Sequence, residues 1–416
     1  MKSIILSHKV ERDRLLSETY VPRNGLETAR QSMQNNLVKV IIGPRRAGKS
    51  VFAIQLLKEL DFAYVNFDDE RLIGTYDYDE LIKAVTEVYG ETKYILFDEI
   101  QNISNWELFV NRLHRQGFNI VLTGSNSKLL SRELATHLTG RYIQFWIFPF
   151  SFSEFLRARD FVVDETLELK ERQGLLLNHL NEYLDVGGFP EVVVKNADSR
   201  NYLATLFESV LFKDVVKRYN LRYSKKLYDL SLYLITNHST AFSYTRLKNL
   251  LGFRSVHTLE NYIEYLKEAF LVFSVGRYSH KLRQQIKSPR KIYSYDPGTI
   301  NVIKFKTTPD TGKLLENLAA IELLRRGKEF YYYRTTNGKE VDFAVKEGLK
   351  VEQLIQVCLD LSDYQTRKRE TSAFIKASKE VSCGNLIVLT WDDEGSEVVN
   401  GKEVIFMPLW KWLIAS

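Results

Sequence analysis

Residues 43–50, Gly43-Pro44-Arg45-Arg46-Ala47-Gly48-Lys49-Ser50, follow the pattern G-x-x-x-x-G-K-[ST]. Each fixed position answers a need of phosphate chemistry. The glycines let the backbone from Gly43 to Gly48 wrap an anion closely enough for its N–H groups to reach the oxygens. Lys49 supplies a cation for the β- and γ-phosphates of ATP, and the Ser50 hydroxyl is a ligand for Mg²⁺. A second pair, Asp98-Glu99, offers two carboxylates. Asp98 suits Mg²⁺ through its water shell, and Glu99 suits polarisation of an attacking water.

These groups need elements that bring them together. Leu37–Ile42 reads as a buried strand before the loop, and Val51–Leu57 opens a helix after it. That order aims unpaired N–H groups and a positive dipole end at the phosphate. Tyr94–Phe97 is apolar up to Asp98, as a buried parallel strand would be. Ligands of open α/β sheets sit at such carboxyl ends. Ala63–Phe67, between the two motifs, is another strand candidate, an insertion that marks the P-loop division with an added catalytic glutamate. Asn119–Asn126 reads as a further strand that ends in polar residues. Ser125, or Asn126 as second choice, would then sense the γ-phosphate. Arg141, ahead of the strand Tyr142–Phe148, is a candidate finger that could reach a γ-phosphate in its own or a neighbouring subunit.

The chain of 416 residues is long enough for two or three domains. A hydrophobic share of 44% and a charged share of 26% fit a soluble globular protein rather than a disordered or fibrous one. Two cysteines, Cys358 and Cys383, cannot build a disulfide framework and suit a reducing compartment. Neither they nor the seven histidines show zinc-ligand spacing. No apolar run approaches the roughly 18 residues of a membrane span, and the first residues are too short for a signal peptide. The expectation is a cytoplasmic protein with no membrane partner. A net charge of +6 permits a nucleic-acid partner, and its distribution says more. Residues 213–226 carry six Lys or Arg against one acid, and residues 269–295 carry six and no acid.

The loop in its Gly-Pro-Arg-Arg form resembles a large prokaryotic family of AAA-type ATPases. So do Phe97-Asp98-Glu99-Ile100-Gln101, Thr123-Gly124-Ser125, Gly140-Arg141 and Phe148-Pro149-Phe150-Ser151-Phe152-Ser153-Glu154-Phe155. Gly187-Gly188-Phe189-Pro190-Glu191 looks like that family's segment after the ATPase core. The resemblance spans essentially the whole chain. It implies an α/β fold: an AAA-type parallel sheet with a helical lid over 1–200, a winged-helix domain over 201–305, and a restriction-endonuclease-like α/β domain over 306–416. Together with Arg141 it favours a homo-oligomer.

In the middle region, Leu227, Leu230 and Leu234 recur at helical spacing. Ser243 can cap a helix over Tyr244–Leu251, and Ser255 a longer one bearing Leu259, Ile263, Leu266 and Phe270. Leu271–Val275 and Lys291–Tyr295 read as two strands around the acid-free loop, which completes a winged helix. Glu260, Glu264 and Glu268 on the would-be recognition helix repel phosphates. The wing does not: Arg277, Lys281, Arg283, Lys287, Arg290 and Lys291 suit phosphate contact without sequence choice.

Beyond residue 306, Glu316 lies on a helix, and Asp342 and Gln356-Val357-Cys358 lie on successive strands. This resembles the restriction-endonuclease-like signature of an Asp on one strand and Glu-x-Lys on the next. Gln356 stands in place of the Glu and Cys358 in place of the Lys. A neutral amide binds Mg²⁺ poorly and a thiol supplies no cationic amine, so the expected domain is inactive as a nuclease. Glu352, Lys346 and Lys350 are nearby migrated substitutes. Arg367, Lys368 and Arg369 are further backbone-contact candidates, and Trp410 and Trp412 read as packing residues. The reading that joins these parts is a Mg²⁺-dependent ATPase that remodels or recognises DNA, with branched DNA or ends as candidate shapes. One alternative is an ATP-gated regulatory or defence switch acting through protein partners, and a second is an ATP-dependent nuclease.

Overall fold

The structure is a computed structural model. It describes the chain except residues 73, 75, 76, 127–137, 139, 223, 305–309, 360–363 and 416, and except the side chains of 364–366 and 368–370. The side chains of Lys368 and Arg369 therefore lie outside the described residues. The chain divides into two compact units, one of residues 1–150 with 268–270, the other of residues 151–267 with 271–416.

The first unit is built on five parallel strands: β1 (Val38–Ile42), β2 (Phe62–Asn66), β3 (Tyr94–Asp98), β4 (Asn119–Gly124) and β5 (Tyr142–Trp146). Their order is β2-β3-β4-β1-β5. In space it is β4 that separates β1 from β3, while β2, which lies between them in sequence, forms an edge. Both faces of β1 are buried. Lys39 survives there because its ammonium turns back to the Asn35 carbonyl and side-chain oxygen at 2.6 and 3.1 Å. The helix Lys49–Leu57 buries Phe52, Ala53, Ile54, Leu56 and Leu57, in one cluster with Ile41, Tyr64, Leu96 and Val121. Sequence-adjacent Ile42 pairs with Gly124 on one side and Trp146 on the other. The carboxyl ends of β1, β4 and β5 are thus level, and the residues that follow them share one edge of the sheet.

The second unit opens with helix Phe152–Ala158, whose start is fixed by a capping box between Ser151 and Glu154. Gly187-Gly188 follows helix Lys170–Val186. A Cβ on Gly187 would come within 2.4 Å of the Asp296 carboxylate, which accepts hydrogen bonds from the N–H groups of Gly188 and Thr299 at 2.7 and 2.8 Å. That contact explains why glycine stands there. The helices Ser224–Thr236, Tyr244–Leu250 and Val256–Glu268 come next. Three antiparallel strands accompany them: β6 (Thr240–Phe242), β7 (Val272–Val275) and β8 (Arg290–Ser294), in the order β6-β8-β7. The sequence predicts two strands here; β6 is too short and too mixed to announce itself. The basic loop between β7 and β8 contains a helical turn, Leu282–Lys287.

The C-terminal part has a six-stranded mixed sheet. Helix Thr311–Arg325 leads into β9 (Glu329–Arg334), β10 (Glu340–Glu347) and β11 (Lys350–Val357), three antiparallel neighbours. Helix Tyr364–Glu380 then crosses to β12 (Asn385–Thr390), parallel to β11. The strands β13 (Gly395–Val399) and β14 (Lys402–Pro408) complete the order β13-β14-β12-β11-β10-β9. Leu354, Phe374, Leu386 and Phe406 anchor its core. Among the described residues no helix is long and apolar enough to cross a membrane.

Candidate functional site

Gly43 leaves β1 with its Cα so close to the next strand that a Cβ would lie 1.8 Å from the Ile147 carbonyl oxygen. No other residue fits. Gly48 has φ +91° and Arg46 φ +66°, so the loop turns through left-handed conformations before the helix begins at Lys49. Lys49 is buried. Its ammonium donates to the Pro44 carbonyl at 3.0 Å and lies 3.5 Å from Glu99 Oε1.

At the end of β3, Asp98 accepts from three hydroxyls. Ser50 reaches Oδ1 at 2.9 Å, Tyr64 reaches Oδ2 at 3.0 Å, and Thr123 also donates to Oδ1. Burial, and then the neighbouring Glu99, push Asp98 up to about 6, while these hydroxyls pull it back. Glu99 has φ +52°, a strained turn that carries its side chain off the strand line. Burial works against its charge. The Lys49 ammonium, Gln101 and Ser125 outweigh burial and hold Glu99 below the usual range. Ser125 donates to Glu99 Oε2 at 2.9 Å, as does the Gln101 amide. The structure thus brings Lys49, Ser50, Asp98, Glu99 and Ser125 together at one edge of the sheet. Ser50 and Asp98 present oxygen donors of the kind Mg²⁺ takes.

Arg141 is not at that edge. It precedes Tyr142, which pairs with Val38 at the start of β1, whereas the loop follows Ile42 at its end. Five strand residues span about 16 Å. The exposed Arg141 side chain therefore does not serve its own chain's loop, and of the two expectations only the neighbouring-subunit one stays open.

One supporting residue carries no sequence signal. Arg23, buried beneath the loop, donates to the Ala47 carbonyl at 2.8 Å and the Phe148 carbonyl at 2.6 Å, with its guanidinium over the Phe150 ring. Tyr64 and Thr123 were also missed as partners of Asp98. Thr123 could have been found from its place at the strand end before Gly124-Ser125.

In the second unit the basic segment splits. Lys281, Arg283 and Lys287 are exposed, and Arg290 is half-buried. Arg277 donates to the Arg334 carbonyl at 2.9 Å. Lys291 is no phosphate contact. It is 2% exposed, and its ammonium lies 2.9 Å from Glu316, 2.8 Å from Glu340 and 3.1 Å from Asp342. It points inward because β8 is clamped to helix Thr311–Arg325, where Asn317 exchanges two hydrogen bonds with the Ser294 backbone at 2.8 and 3.1 Å. Gln356 accepts from the Asp342 N–H at 3.2 Å, and Cys358 is half-buried and joined in no disulfide. Lys346 is bound to Glu329 at 2.9 Å, and Lys350 pairs with Glu347 at the far end of β10, so neither has migrated to Asp342. In the segment 213–226, Lys213, Lys217, Arg222 and Lys225 are exposed. Arg367 pairs with Glu397 at 3.0 Å, and Trp410 and Trp412 are buried.

Residues 35–156 match the family described as AAA domain, residues 177–310 a domain of unknown function (DUF8612), and residues 311–412 another (DUF4143). An uncharacterized protein of Methanocaldococcus jannaschii is 37% identical over 397 residues, covering 91% of this chain and 88% of that protein. An uncharacterized protein of Haemophilus influenzae is 30% identical over 414 residues, 95% of this chain and 99% of the relative. Among solved structures, a Walker-type ATPase of Pyrococcus abyssi is similar at 16% identity and a TM-score of 0.44, covering 68% of this chain and 96% of that one. The Cdc6p of Pyrobaculum aerophilum is similar at 14% identity and a TM-score of 0.28, covering 74% and 98%. With a five-stranded parallel sheet and a phosphate-type loop over its AAA region, the chain belongs to the family of the Methanocaldococcus and Haemophilus proteins, an AAA-type ATPase family.

Proposed function

We propose that this chain is an ATPase that couples binding and hydrolysis of Mg²⁺·ATP to rearrangement of a bound DNA. The observation that carries the ATPase reading is the meeting of Lys49 with Ser50, Asp98, Glu99 and Ser125 at one sheet edge. Loop amides from Gly43 to Gly48 and the Lys49 ammonium would hold the phosphates, while Ser50 and Asp98 would hold Mg²⁺. Bound there, the metal would neutralise charge on the phosphate oxygens. Glu99, kept ionised by Lys49 and hydrogen-bonded to Ser125, is the base beside the water. Arg141 would serve a neighbouring copy, which is what favours a homo-oligomer. Turnover should vanish in Lys49→Ala. Glu99→Gln should bind ATP normally yet hydrolyse it roughly a hundredfold more slowly. Wild-type turnover in Glu99→Gln would remove Glu99 from the chemistry.

The DNA partner rests on exposed Lys281, Arg283 and Lys287 in a segment with no acid, within what we read as a winged helix. Such a surface binds backbone and releases counterions, so affinity should fall steeply between low and moderate salt. Reversing Arg283 and Lys287 should flatten that slope by about two phosphate contacts. Absence of DNA binding even at low salt would favour the ATP-gated switch acting through protein partners. The C-terminal sheet, read as a nuclease-like domain without its Glu-x-Lys, would hold DNA by shape rather than cut it.

A further inference from the structure

The nuclease-like reading implies a divalent ion between Glu316 and Asp342, and the residues present do not fit one. Each of the three N–H bonds of Lys291 has its own carboxylate oxygen within 3.1 Å: Glu316 Oε1, Glu340 Oε1 and Asp342 Oδ1. The second oxygen of Asp342 accepts from the Val357 N–H at 3.0 Å, and Glu316 Oε1 also takes the Tyr293 hydroxyl at 2.7 Å. The Lys291 side chain is 3% exposed. Among the described residues, no group of three or more His, Cys, Asp or Glu is arranged to hold a metal. A divalent ion needs six or more oxygens around it, and an ammonium seated on those same oxygens both fills the space and repels the second cation.

We propose that the Lys291 ammonium is a resident cation in the divalent ion's place, which turns a carboxylate metal site into a fixed electrostatic joint between β8 and the C-terminal sheet. The proposal rests on the nuclease-like reading of that sheet. It also accounts for Gln356 and Cys358. Once a lysine from another element occupies these carboxylate oxygens, a third metal carboxylate and a lysine at the end of β11 have no task. The joint ties the strand after the exposed basic turn to the sheet behind it, so β8 moves with that sheet.

Mn²⁺ titration of the full, nucleotide-free chain, read by the loss of the free-ion spin-resonance signal, tests this. Wild type and Asp342→Asn should bind Mn²⁺ alike. Lys291→Met should gain one Mn²⁺ at least about tenfold tighter, and Lys291→Met with Asp342→Asn should lose it. Wild-type Mn²⁺ binding that Asp342→Asn removes would overturn the proposal, as would a folded Lys291→Met that gains nothing. If Lys291→Met is too unstable to titrate, its melting is compared with and without Mn²⁺. An Asp342-dependent rise in the midpoint supports the joint, and no rise overturns it. DNA cleavage by the wild type that Asp342→Asn abolishes would instead sink the inactive-nuclease reading itself.

Discussion

Two lysines in this chain are buried to the same degree, each with a 3% exposed side chain beside carboxylates, and they are held in opposite ways. Lys49 has a neutral carbonyl at 3.0 Å and one carboxylate at 3.5 Å. Lys291 has three carboxylates between 2.8 and 3.1 Å. At an effective dielectric near 20, one contact at 3 Å is worth roughly 5 kcal/mol before desolvation is subtracted. Desolvation is several kcal/mol per buried ion. One long contact leaves Lys49 close to balance and ready for a better anion; three short ones commit Lys291. A buried lysine beside acids is a site in one case and a joint in the other, and the number and length of its contacts decide which.

The sharpest way to break that comparison is to delete each ammonium and read stability and nucleotide turnover separately. Lys291→Ala leaves three carboxylates without their cation and should destabilise its surroundings by roughly 3–5 kcal/mol. Lys49→Ala leaves one carboxylate, Glu99, without its cation and should cost less than Lys291→Ala while abolishing turnover. Hydrogen exchange at the amides of β1 and β8 measures the two losses locally. Equal losses in the two variants would mean that contact geometry does not distinguish them.

The same contrast shows what the sequence could announce. The loop, Asp98-Glu99 and Ser125 were legible because strand, turn and helix signals lie beside them, and short-range pattern fixes which edge they reach. Lys291 was misread because its role depends on partners 25, 49 and 51 residues away, as the numbering shows. In sequence it is simply the last of six bases in an acid-free run. Its place on β8 is set by Asn317 and Glu316, on a helix that local pattern cannot bring to it. Arg141 shows the converse. The strand after it was visible, but its end of the sheet followed only from the parallel register with β1.

Asp296 extends the comparison to a buried carboxylate that, among the described residues, is served by hydrogen bonds. Burial raises it from 3.8 to about 6, with the N–H groups of Gly188 and Thr299 and the Thr299 hydroxyl pulling the other way. Because the folded value lies above the unfolded one, the folded state holds the proton more tightly. This contribution is complete below about pH 4 and is lost as the pH rises through 6. The full loss should be on the order of 3 kcal/mol. Asp296→Asn does not titrate and should lack that fall. Urea unfolding of both chains at pH 4.5 and pH 7, followed by tryptophan fluorescence, gives the difference; a gap that stays constant between the two pH values would contradict the assignment.

Arg23 gives the smallest effect and the finest test of why Lys49 stays available. It forks between the carbonyls of Ala47 and Phe148, so it ties the loop to the segment after β5. Holding the Ala47 carbonyl fixes the course of the loop where it enters the helix. Arg23→Ala removes two charge-assisted hydrogen bonds from buried carbonyls, and the loop can then relax before nucleotide arrives. That makes Arg23 a positioning residue: its loss should weaken ATP binding about tenfold, raise KM, and leave kcat nearly unchanged. Lysine cannot make the fork, so Arg23→Lys should recover only part of the affinity. A fall in kcat with unchanged affinity would place Arg23 in the chemistry instead. Unchanged binding in Arg23→Ala would show that the loop holds its shape without it.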